Sequence, residues 1–249
     1  MEVRSRRLRT STSHSKTLVK RLRRLRMECE THMQKPQAIL FDLDGVLTDT
    51  SEYHYRAWKR LADEEGIPFT REENDANLRG VGRRESLMYI LGLGNRKVTE
   101  EQIQEMMDRK NRYYTEMIKD MTPADLVPGG RQLLQSIQDA GIKSAVASAS
   151  KNCRTVLERL DIVHIFDGIA DGYSVTNTKP APDLFVYAAG LTKTPTSACL
   201  GVEDADAGIE AIKNAGMQAL GIGPRERFHR ADKVLPTLAN VSLEDILNK

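Results

Sequence analysis

The sequence is short of cysteine. Cys29, Cys153 and Cys199 are the only three in 249 residues; they lie far apart and form no C-x-x-C pair. That excludes a disulfide framework and a thiolate zinc site, and makes a reducing, cytoplasmic setting the default. Long apolar runs are also lacking. No stretch approaches the roughly 20 residues needed to cross a bilayer, and no secretory apolar segment is present. No membrane partner is expected. Aromatic residues make up 5% of the chain, with one tryptophan, Trp58. Its surroundings read as a packing position rather than a sugar platform. Acid is scarce at one end: residues 1–34 hold ten Lys/Arg against three Asp/Glu, a net +7. The overall +2 therefore leaves −5 for residues 35–249. That body shows no basic stripe, so no nucleic-acid partner is expected of it.

The basic leader has three readings. It is rich in Arg and Ser, as a transit peptide is. Leu18, Leu22 and Leu25 fall on one helical face, as in an arm for anionic lipid or nucleic acid. It is also what a disordered extension looks like, and Met33 opens a natural start only nine residues before Asp42.

What is present is an ordinary globular body, 40% hydrophobic and 29% charged, large enough for one big or two modest domains. Its most informative stretch runs Phe41-Asp42-Leu43-Asp44-Gly45-Val46-Leu47-Thr48-Asp49-Thr50. The apolar run Ala38-Ile39-Leu40-Phe41 reads as a buried parallel strand, closed by Gly45. Residues i and i+2 of a strand share a face, so Asp42 and Asp44 stand side by side. Two buried acids together are costly unless a cation or a reaction needs them.

Beyond Asp49 the pattern becomes helical. Tyr53, Ala57, Trp58 and Leu61 recur at helical spacing until Gly66-Ile67-Pro68. Further helices are predicted at 72–78, 84–91 and 101–118, with no strand among them. From Val127-Pro128-Gly129-Gly130 onward strands and helices alternate. Helices are predicted at 131–140, 153–160, 182–189 and 207–215. Strands are predicted at 142–147, 165–170, 198–202, 218–222 and 232–235. Gly141, Gly190 and Gly216 read as helix ends. Alternation of this kind implies an α/β fold, a Rossmann-like doubly wound parallel sheet with an inserted all-helical cap. The expected partition is a leader at 1–34, a core at 35–48 and 121–249, and a cap at 49–120.

Such sheets bind ligands beyond the carboxyl ends of their strands. Four predicted strand ends carry polar signals: Asp42/Asp44, Ser148, Lys179 just past a strand and its loop, and Glu203/Asp204. Taken singly, each has an ordinary explanation: a helix cap, a solvated lysine, an exposed acid pair. Together they are the chemistry of phosphoryl transfer. Asp42, Glu203 and Asp204 offer hard oxygen ligands suited to Mg2+. Ser148 and the N–H groups of Ala149 and Ser150 are placed to hold phosphate oxygens at a helix start. A carboxylate can act as nucleophile, and a second on the same face can exchange a proton.

The order Asp-x-Asp-Gly-Val, Ser-Ala-Ser, Lys-Pro-x-Pro-Asp, Glu-Asp-x-x-Ala-Gly resembles the four motifs of the haloacid dehalogenase superfamily over residues 37–225. The stretches at 48–58, 78–87 and 147–152 more finely resemble its β-phosphoglucomutase family. The resemblance implies roles. Asp42 would be the nucleophile and Asp44 the general acid/base. Thr50 and His54 would couple cap closure to Asp44. Arg83 would bind the distal phosphate, and Lys110 would reach the sugar. Ser148, Ala149 and Lys179 would hold the transferring phosphoryl group, and Asn152 the sugar phosphate. Mg2+ would be held by Asp42, the backbone carbonyl of Asp44, Glu203 and Asp204. The implied activity interconverts β-D-glucose 1-phosphate and glucose 6-phosphate, with glucose 1,6-bisphosphate as primer, in a monomer. A sugar-phosphate phosphatase is the alternative on the same scaffold. A dehalogenase would not need Asp44, and a binding module without catalysis would not need the full acidic set. Cys153 departs from the glycine more usual there, without touching the chemistry.

Overall fold

A computed structural model describes residues 35–248. The basic leader, with Leu18, Leu22, Leu25 and Cys29, lies outside the described residues. Six strands form one parallel sheet: β1 Ala38–Phe41, β2 Lys143–Ala147, β3 Gly168–Ala170, β4 Cys199–Glu203, β5 Gln218–Ile222 and β6 Lys233–Leu235. Their spatial order is β3-β2-β1-β4-β5-β6. The chain therefore winds outward one way from β1 through β2 and β3, and the other way through β4, β5 and β6. β1 stands at the switch point, where strand order reverses and a crevice opens beyond the strand ends. Every β1 residue is buried, because helices cover both faces of the sheet.

Those faces are packed differently. One carries Ile39, Phe41, Val146, Val202 and Leu220 against α5 (Gly130–Asp139), α6 (Cys153–Arg159) and α9 (Leu243–Leu247). The other carries Ala38, Leu40, Ala145, Ala147 and Ala219 against α7 (Asp183–Leu191) and α8 (Asp206–Asn214). Small residues on the second face let its helices sit close.

Between β1 and β2 the chain leaves the sheet as four helices: α1 Ser51–Glu64, α2 Arg71–Asn77, α3 Arg83–Leu93 and α4 Glu100–Met117. Thr70 with Glu73 and Thr99 with Gln102 cap α2 and α4 reciprocally. Trp58, Leu61, Phe69, Leu87, Ile90, Ile103 and Met106 form a separate apolar cluster within this helical cap. α1 and α4 belong to both bodies. Ala57 and Tyr114 pack with the sheet face, whereas Trp58 and Ile103 pack inside the cap.

The predicted elements match with small shifts and two corrections. The strand predicted at 165–170 shrinks to Gly168–Ala170, because Val163–Ile165 form a 3-10 turn. Gly190 lies inside α7 rather than ending it; the helix runs on to Leu191 and stops before Lys193, at φ 56°. No helix among the described residues is long and apolar enough to cross a membrane.

Candidate active site

The register of β1 sets the site. Phe41 pairs with Val146 of β2 and with Val202 of β4, so Asp42, Ala147 and Glu203 lie level at the carboxyl ends of adjacent strands. The Asp42 N–H donates to the Val202 carbonyl at 2.9 Å, keeping the chain in register one residue past the strand. It then turns at Gly45, φ +84°, whose N–H donates to Thr48 O at 2.7 Å. A Cβ at Gly45 would overlap the Asp204 carboxylate, so glycine is required both by φ and by space. Gly208, near the start of α8, likewise leaves room for the Glu203 side chain.

Asp42, Glu203 and Asp204 offer carboxylate oxygens within 4.8 Å of one another. Lys179, from the loop between β3 and α7, donates to Asp42 Oδ1 and Glu203 Oε2, each at 2.7 Å. Its side chain is fully buried. Burial alone would lower the Lys179 pKa, but the Asp42 and Glu203 carboxylates outweigh it and hold the ammonium charged. Burial first, and then Asp42, push the Glu203 carboxyl well above its usual range. The same two causes raise Asp204 to about 6. A cluster that resists carrying its full negative charge alone has the donor set, three hard oxygens, that a divalent cation suits.

Asp44 begins a second chain of contacts. Thr50 Oγ1 donates to Asp44 Oδ1, and His54 Nε2 lies 3.9 Å from the same oxygen. Burial, reinforced by the Asp42 charge, raises Asp44 to about 8. A carboxyl raised in this way can keep a proton near neutral pH, which is what a general acid needs. His54 is driven well below 6.5 by burial and then by Lys110 and Arg83, so it is a neutral imidazole. Lys110 Nζ meets His54 Nδ1 at 2.9 Å and sits over the rings of Trp58 and Tyr114, at 4.8 and 4.9 Å. Burial, then the nearby Arg83 charge, lower Lys110 to about 7.

A third group faces these from the cap. Arg83 Nη2 donates to Asn111 Oδ1 at 2.9 Å, and Asn152 Nδ2 donates to the same oxygen at 2.8 Å. One amide thus joins α3, α4 and the loop before α6. All three groups surround a cavity of about 90 Å³ lined by Asp42, Asp44, His54, Arg83, Lys110 and Ala149, among others. Ser148 is buried just beneath, its Oγ accepting from the Ser150 N–H at 3.1 Å. Arg84, next to Arg83, points away to Glu100.

Comparison with known proteins agrees with this geometry. A family model for haloacid dehalogenase-like hydrolases matches residues 36–216. The chain belongs to that family. The β-phosphoglucomutase of Bacillus subtilis (strain 168) is 43% identical over 84% of the chain and 92% of its own length. A crystal structure of β-phosphoglucomutase from Clostridium difficile superimposes with a TM-score of 0.82 at 40% identity, over 85% of this chain and 95% of its own. A phosphorylated carbohydrates phosphatase of Thermotoga maritima is 29% identical over 85% of this chain and 97% of its own.

In this haloacid dehalogenase-like fold the predicted residues converge, and three others join them. Asn111 bridges Arg83 and Asn152. Tyr114 stacks on His54 with ring centroids 4.2 Å apart. Arg79 Nη1 donates to Asp204 Oδ2 at 2.9 Å. The local sequence gives Tyr114 and Asn111 no sign beyond the helical face they share with Lys110; Arg79 stands in a stretch already notable, but nothing there points to Asp204.

Proposed function

We propose that this haloacid dehalogenase-like enzyme is a Mg2+-dependent phosphomutase interconverting β-D-glucose 1-phosphate and glucose 6-phosphate. The observation that carries the reading is the cavity's two charged ends: Asp42, bonded from outside the cavity by buried Lys179, on the sheet side, and Arg83 with Lys110 on the cap side. A mutase must hold one phosphate while transferring another, and that calls for two such poles.

Asp42 is the nucleophile. One of its oxygens bonds to phosphorus as the phosphorus–sugar oxygen bond breaks, and Asp44 gives its proton to that leaving oxygen. In the second half the acceptor hydroxyl attacks phosphorus, loses its proton to Asp44 and frees Asp42. Lys179 holds Asp42 and shares the charge of the transferring group. Ser148, Ala149 and the following N–H groups hold its oxygens, while Arg83 with Asn152 holds the distal phosphate and Lys110 the sugar. Thr50 and His54 fix Asp44. Asp42, Glu203, Asp204 and the Asp44 carbonyl would hold Mg2+, which would offset charge on the phosphoryl oxygens.

A cavity of about 90 Å³ is well below the roughly 300–1,000 Å³ of ordinary ligand pockets. The helical segment 49–120 must therefore swing away from 35–48 and 121–249 to admit substrate, and its closure excludes water. Turnover begins once glucose 1,6-bisphosphate has phosphorylated Asp42, and the enzyme acts as a monomer. Buried, unpaired Cys153 and Cys199 accord with the cytoplasm.

The phosphatase relative keeps a second reading in view, hydrolysis of a sugar phosphate on the same scaffold. A coupled assay separates the two. It uses the α and β anomers of glucose 1-phosphate with Mg2+ and trace bisphosphate, and follows phosphate release in parallel. Glucose 6-phosphate from the β anomer without phosphate release supports the mutase; phosphate release without isomer overturns it.

A further inference from the structure

The acidic cluster is touched by two cations of different kind. Lys179 comes from the core, is fully buried and is bonded to two carboxylates. Arg79 comes from the cap, in the turn after α2 that Gly80 forms at φ +70°. It holds one oxygen of Asp204, and its side chain is 31% exposed. Its Nε lies 3.7 Å from Asp75 Oδ1, beyond hydrogen-bonding distance, so that buried donor is left unsatisfied. Leaving this contact therefore costs Arg79 less than leaving a fully bonded one would. The guanidinium also spans the cavity wall, lying on both the substrate cavity and the neighbouring groove beside Thr48 and Leu126.

We propose that Arg79 and the divalent cation compete for Asp204, so that a shut cap weakens metal binding and metal binding loosens the cap. This rests on reading Asp42, Glu203 and Asp204 as the metal site. With the cap shut, Arg79 supplies positive charge to a carboxylate the ion needs, and a nearby like charge opposes the ion's arrival. With the cap open, Arg79 is carried away on its own helix turn and Asp204 is free. Coupling between two ligands of one carboxylate is reciprocal: whatever the shut cap subtracts from metal affinity, the metal subtracts from closure. The device orders events. Metal loads while the cap is open, and Arg79 then faces the cavity as a free cation rather than an engaged one.

Calorimetric titration of the full chain with MgCl2, without sugar, tests this. The Arg79→Gln variant is expected to bind Mg2+ at least about fivefold more tightly than the wild type. Asp75→Asn removes a carboxylate 3.7 Å from Arg79 Nε and leaves Arg79 freer to engage Asp204, so it is expected to shift affinity the other way, to weaker Mg2+ binding, by less; it also serves if Arg79→Gln fails to fold. Unchanged or weaker binding in folded Arg79→Gln, or unchanged or tighter binding in Asp75→Asn, overturns the competition. Absence of binding in wild type and variants alike overturns the metal reading itself. Trp58, the sole tryptophan and a buried part of the cavity wall, reports the cap. Acrylamide quenching of its fluorescence is expected to rise with Mg2+ in the wild type and to be already high in Arg79→Gln. A wild-type signal that Mg2+ does not move overturns the coupling.

Discussion

The two ends of the cavity are built to different standards. On the sheet side Lys179 is sealed between two carboxylates, Asp42 and Glu203, both held by strand register. On the cap side Arg83 rests on a neutral amide, Asn111, and Lys110 meets a neutral imidazole, His54. A cation bonded to carboxylates has its charge cancelled; a cation bonded to an amide keeps it. The sheet side therefore fixes the geometry of the reaction, and the cap side presents uncommitted charge to whatever enters. A transferred phosphoryl group needs the first. A substrate that must release, turn and rebind needs the second.

That contrast can be broken or sharpened by mutation. The largest effect is expected for Asp42→Asn, which removes the nucleophile: kcat should fall by more than about 10⁴-fold. Residual isomerisation above that level in the coupled assay would remove Asp42 from its role. Lys179→Met should strike stability as well as rate. It leaves two carboxylates buried without their partner, a loss of about 3–5 kcal/mol, read by denaturant unfolding in chelator. If the variant unfolds like the wild type, the sheet side is not held as described.

Arg83→Ala should behave oppositely. Its loss should leave stability within about 0.5 kcal/mol and raise KM, slowing isomerisation more than hydrolysis. Equal losses in both reactions would count against a distal-phosphate role. The smallest effect should be a pH dependence confined to the cap side. Lys110, lowered to about 7, loses its charge as pH rises through that value, whereas an arginine would not. KM for the sugar phosphate should accordingly rise above pH 7 by at most about tenfold per unit. The Lys110→Arg variant should flatten the profile. A wild-type KM that falls above pH 7 would reverse the sign and exclude the assignment.

The chemistry of the sheet side was readable because strand ends advertise themselves. Asp42 and Asp44 close an apolar run, Ser148 closes another, and Glu203 and Asp204 a third. Parallel pairing then leaves these ends little choice but to meet. Gly190 was misread because a glycine inside a packed helix looks, in one dimension, like a glycine at its end. The strand at 168–170 was overestimated for a similar reason, since an apolar 3-10 turn and a short buried strand share composition.

The sequence by itself determined the layered α/β architecture, the acidic cluster and its lysine, because periodicity and strand-end polarity are local properties. Only the tertiary structure decided which cap cation meets which core acid. Arg79 reaching Asp204 and Asn111 joining Arg83 to Asn152 depend on how two bodies are set against each other, and Tyr114 stacking on His54 depends on how α4 packs on α1. That setting follows from the packing of α1 and α4, and no single segment of the chain encodes it.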